Sequence, residues 1–76
     1  MLEKEAITFE QNLPELLKSD TGKFALVKED QVIGVFAAIT DALSYGYEKY
    51  NRQAFFVREI TPIQEPLDFS YHRLFN

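Results

Sequence analysis

The chain has 76 residues, no cysteine, one histidine, and 12 acidic against 8 basic residues, for a net charge of −4. Without cysteine there are no disulfides, thiolate metal sites or cysteine nucleophiles, and a single histidine argues against a zinc centre. The Lys and Arg residues are scattered singly, which argues against nucleic acid as a partner, because phosphate neutralisation needs clustered cations.

No apolar run approaches the roughly 20 residues of a membrane span. The opening stretch MLEKEAITF is acidic and lacks the apolar segment of a signal peptide. The expectation is a soluble, cytoplasmic chain that uses no cofactor and binds no membrane. Hydrophobic residues at 46% place it among folded rather than disordered chains. A domain this small buries only about 60% of its unfolded surface. With disulfides and metals excluded, oligomerisation is the remaining support for so small a core.

In chain order, Leu2, Ala6, Phe9, Leu13, Leu16 and Leu17 recur at spacings of three and four, which marks one face of a helix. Thr8 with Gln11 has the capping-box spacing. Pro14 suits a first turn, which would make Asn12 the cap instead. The spacing predicts a helix over residues 8–18, bent near Pro14. Asp20-Thr21-Gly22 follows, and its glycine suits a left-handed helix terminator. KFALVK (23–28) and VIGVFA (32–37) read as a β-hairpin with Glu29, Asp30 and Gln31 near the turn. Gly34 inside the second run predicts a bulge or a close approach.

Thr40 and Asp41 open a second helix as cap and first-turn acid. Leu43, Tyr47 and Tyr50 form its core face, and Gly46 suits a helix lying close to a sheet. Glu48 and Arg52 have ion-pair spacing, and Asn51 terminates the helix. AFFVREI (54–60) is a third strand, ended by Thr61-Pro62. Residues 62–76 form an apolar tail. Leu67, Phe69 and Tyr71 alternate like a strand, while Leu67, Tyr71, Leu74 and Phe75 fit a helix.

Alternation places Phe24 and Leu26 opposite Ala25 and Val27, Ile33 and Val35 opposite Val32 and Phe36, and Phe55 and Val57 opposite Phe56 and Ile60. Both faces of the sheet are therefore apolar. The expected fold is α+β in the order α-β-β-α-β: a three-stranded, mostly antiparallel sheet with both helices on one face. Its strand order is 2-1-3 or 1-2-3. Residues 1–61 make the domain, and the tail packs on it or on a dimer mate. Two short helices on one face leave the other to be covered. The expected interface residues are Phe24, Val27, Phe36, Tyr45, Phe56, Leu67, Phe69 and Tyr71.

Little in the chain reads as chemistry. Asp20-Thr21-Gly22 matches the aspartic-protease triplet, but it follows a helix rather than a strand, so a helix end is the better account. Thr21-Gly22-Lys23 lacks the first glycine of a phosphate loop. His72 has no nucleophile or paired carboxylate at a diagnostic spacing. Tyr45 lies off the core face of its helix, as a partner anchor would.

LPELL (13–17), GKF-LVK (22–28), VIGVF (32–36), DAL--GYEKY (41–50) and FFVREI (55–60) together resemble a family of small prokaryotic domains of unknown function. The resemblance covers residues 9–60, implies an α/β module and carries over no catalytic residue. The expected function is a non-enzymatic protein-interaction module acting as a homodimer. The alternatives are a small ligand-binding protein or enzyme with a pocket near Tyr45, Tyr50, Arg58 and His72, or an accessory or regulatory subunit of a larger protein.

Overall fold

A computed structural model describes residues 2–62. In chain order the elements are α1 (Glu3–Ser19), β1 (Phe24–Lys28), β2 (Gln31–Phe36), α2 (Ile39–Tyr50) and β3 (Phe56–Glu59). The tail residues Leu67, Phe69, Tyr71, His72, Leu74 and Phe75 lie outside the described residues. Both strand pairings are antiparallel, and the sheet runs β2-β1-β3. The α+β class, the element order and the first of the two anticipated strand orders are therefore present.

The helices, however, occupy opposite faces rather than one. Phe9 of α1 packs with Ala25, Val27, Phe56 and Ile60, flanked by Leu13, Leu16 and Leu17. Ala42 of α2 packs with Leu26, Phe55 and Val57, flanked by Ile39, Leu43 and Tyr50. The reason is width. The outer strands of a three-stranded sheet lie about 10 Å apart, and one helix with its side chains is about 10–12 Å across. A single helix covers a face, so the two helices cover both.

The strand register also differs from simple alternation. Leu26 pairs with Gly34 but Val27 pairs with Val32, so Ile33 is an extra residue on β2. This is the bulge anticipated near Gly34. It sends Ile33 to the α2 face with Phe36, and leaves Val32 and Val35 together on the α1 face. The expected grouping of Ile33 with Val35 is thereby corrected.

Helix boundaries moved for identifiable reasons. α1 starts at Glu3, with the Ala6 amide donating to the Leu2 carbonyl at 2.9 Å. Glu3 and Glu5 lie in its first turn, where the helix dipole favours acids. Thr8 is not a cap. It sits inside the helix, and its hydroxyl turns back to the Lys4 carbonyl at 2.9 Å, the usual use of a mid-helix threonine. Pro14 is also inside α1, on its exposed side. Its missing N–H leaves the Glu10 carbonyl without the amide donor of a regular helix. α2 begins at Ile39 after an extended Ala38 that makes no side-chain cap, so Thr40 is a first-turn residue rather than the cap. Asn51 ends α2 with a φ of 57°, as its position predicted.

α2 approaches the sheet through its smallest residues. Ala42 and Gly46 are its buried positions, while Tyr47, expected on the core face, is 39% exposed. Its ring instead meets Phe55 edge-on, with centroids 5.5 Å apart. A Cβ at Gly46 would lie 2.4 Å from the Phe55 ring. Gly46→Ala is predicted to destabilise the fold by about 1–3 kcal/mol through overpacking, even though alanine is favoured in a helix by about 1 kcal/mol. Urea denaturation of the two proteins measures the sign directly.

Candidate functional site

Asp20, the candidate acid of the protease-like triplet, is the C-cap of α1, and its amide donates to the Leu16 carbonyl at 2.8 Å. The Thr21 hydroxyl donates to the Leu17 carbonyl at 2.8 Å. Gly22 takes a φ of 92°, which an L-residue adopts only under strain. Its amide donates to the Ile60 carbonyl, and the Ile60 amide donates to the Lys23 carbonyl, both at 2.8 Å. The triplet therefore ends a helix and sets the register of β1 on β3. The Asp20 carboxylate faces Lys23 at 3.4 Å, and no group of three or more metal-capable side chains occurs among the described residues.

The hairpin turn carries the main polar contact between α1 and the sheet. Lys28 pairs with Gln31, leaving Glu29 and Asp30 as a two-residue turn. Glu29 has a φ of 59° and Asp30 does not have a positive φ. That combination resembles a turn whose first position ordinarily takes glycine. α1 holds this residue from both sides. The Glu29 amide donates to the buried Glu5 carboxylate at 2.8 Å, and the Thr8 hydroxyl lies 3.0 Å from the Glu29 carbonyl. The single hydroxyl hydrogen of Thr8 is thus shared between this carbonyl and that of Lys4.

The groups proposed for a small-molecule pocket do not converge. Tyr45 and Tyr50 lie on α2, whereas Arg58 is on the α1 face, its guanidinium 4.7 Å from the Phe56 ring and 5.3 Å from the Phe9 ring. The sheet separates them, because Arg58 pairs opposite Ala25 and so shares that residue's face. Tyr50 takes a structural place instead. Lys28 reaches the Ala54 carbonyl while its ammonium lies 5.3 Å from the Tyr50 ring centroid. Burial raises the Tyr50 phenol above its ordinary ionisation range, and Tyr45 adds a smaller push in the same direction.

Of the expected interface residues, Val27 and Phe56 are sealed under α1 within the same chain, at 0% and 1% exposed. Phe24 and Phe36 are half-buried against the α2 layer. Tyr45 remains on the surface at 39% exposed, with its ring 5.5 Å from that of Phe36. Both faces being covered, the open parts of the sheet among the described residues are its edges. Among the described residues, β2 pairs only with β1, and so does β3. β3 is four residues long and carries Arg58 and Glu59. β2 is six residues long, QVIGVF, with no charge and no proline. Short strands, charges and prolines are what usually protect an edge from pairing, so β2 is the less protected of the two. The signal was present in the sequence as an uncharged apolar run, but only the strand order shows that this run lies outermost.

No family model matches the chain, and neither the curated proteins nor the solved structures contain a significant match.

Two substitutions separate the structural roles just described. Asp20→Asn is predicted to change stability by less than about 1 kcal/mol, as expected for an exposed ion pair. Glu29→Gly is predicted to stabilise the protein by about 0.5–1 kcal/mol, because it releases the strain of a positive φ. Thermal unfolding of both variants provides the measurement, and a destabilised Glu29→Gly would contradict the strained-turn account.

Proposed function

We propose that this chain is a non-enzymatic protein-interaction module that acts as a homodimer through the open edge of β2. The contrast between the two edges of the sheet carries the proposal. β3 is short and charged, while β2 presents six uncharged residues and has a partner on one side only among the described residues. An unpaired edge offers a row of N–H and C=O groups, the template on which a strand from another chain can add. The sheet faces, which first suggested a partner, are occupied by α1 and α2. An edge contact takes their place, with Tyr45 and Phe36 at its rim.

The alternative of a small ligand-binding protein or enzyme used Tyr45, Tyr50, Arg58 and His72; Arg58 lies across the sheet from the two tyrosines, and His72 is outside the described residues. The accessory-subunit alternative would use the same edge for a different chain. The proposal also takes in a cytoplasmic setting and membership of the small prokaryotic domain family that residues 9–60 resemble.

Light scattering coupled to size exclusion, over a wide dilution series, tests the proposal. A dimer mass that falls to the monomer mass on dilution is expected. Ile33→Lys places a charge at the edge residue that has no partner on β1. It is expected to weaken the dimer about tenfold or more, equivalent to roughly 1.4 kcal/mol, with circular dichroism confirming that the variant is folded. A monomer at every concentration would rule the proposal out.

A further inference from the structure

The bulge in β2 says which partner strand fits and in which register. Gln31 pairs opposite Lys28 and Gly34 opposite Leu26, so both lie on the α2 face, as Phe36 does opposite Phe24. Ile33 also packs on the α2 side. Val32, opposite Val27, and Val35, opposite Ala25, lie on the α1 face. Read along β2 from Gln31 to Phe36, the faces run α2, α1, α2, α2, α1, α2. This order is the same in both directions.

A regular six-residue strand cannot have that symmetry, because strict alternation gives its two ends opposite faces. The extra residue at Ile33 creates it. In an antiparallel ladder, directly opposed residues must share a face. We infer that β2 pairs antiparallel with β2 of a second copy about a two-fold axis between Ile33 and Gly34. Gln31 then opposes Phe36 of the other copy, Val32 opposes Val35, and Ile33 opposes Gly34. This inference rests on the β2-edge proposal and adds the register to it.

Two consequences of this pairing are favourable. Every opposed pair shares a face, so the two α1 layers and the two α2 layers each continue across a six-stranded sheet. No like charges meet, because β2 carries none. A foreign strand of regular alternation would fall out of step when it crosses the bulge. A second copy carries the same offset and stays in step. The bulge thus turns an exposed edge into one selective for its own kind.

The chain has no native cysteine, so disulfide trapping reads the register cleanly. Val32→Cys and Val35→Cys are made as separate proteins, checked for folding by circular dichroism, mixed and oxidised. The mixed Val32–Val35 product is expected to exceed either self-linked product severalfold. On the unsubstituted protein, isotope-filtered NMR of a labelled and unlabelled mixture is expected to show contacts between the Val32 and Val35 methyl groups of different copies. A dimer in which Val35→Cys links mainly to itself would overturn the register while leaving the dimer standing. A monomer without cross-links or intermolecular contacts would overturn the β2-edge proposal together with it.

Discussion

The fold depends on one strand being kept dry on both sides. Ala25, Leu26 and Val27 are each 0% exposed, although consecutive strand residues point to opposite faces. A central strand of that composition needs cover above and below. The chain supplies it with one helix before the hairpin and one after it. α1 lies on the face of Ala25 and Val27, and α2 on the face of Leu26. Burying each large apolar side chain contributes about 1.5–3 kcal/mol, so neither helix is dispensable. The strand order follows from the same requirement. With β1 in the middle, α2 connects the outer strands β2 and β3 across it, and covers Leu26 on the way.

Two local devices hold the helices at the required distance. Gly46 lets α2 settle onto Phe55, where any larger residue would collide with the ring. Glu5 and Thr8 of α1 bind the amide and carbonyl of Glu29, so the helix also fastens the hairpin turn. That contact is made to the backbone amide and carbonyl of Glu29, so it holds the turn without calling on the Glu29 side chain. Once both faces are closed in this way, the parts of the sheet left open among the described residues are its edges. The edges differ in length and charge, which directs attention to β2.

Much of this was legible in the residues themselves. The alternating pattern of β1 and β3 placed each side chain on its proper face, Gly34 announced a bulge, and Gly22 and Asn51 marked the ends of the helices. The protease-like triplet was recognisable as a helix end because a helix, not a strand, precedes it. Other features were not legible, for physical reasons. The start of α1 was misplaced because Thr8 resembles a cap but donates back along a helix already formed. The side of the sheet taken by each helix is a matter of sheet width and crossover, which no local pattern encodes. The separation of Arg58 from the tyrosines follows from that same placement. The offset between Ile33 and Val35 required the pairing of β2 with β1, since a bulge is a property of two strands.

Backbone amide exchange followed by NMR at high and low protein concentration tests the central claim most directly: both sheet faces are closed within one chain, and among the described residues the β2 edge is left open. The account predicts slow exchange for Ala25, Leu26 and Val27 at every concentration, independent of association. It predicts that the outward amides of β2 are slow only in the concentrated sample and become fast on dilution. Fast exchange in β1 on dilution, or slow exchange of the β2 edge in a dilute monomer, would contradict it.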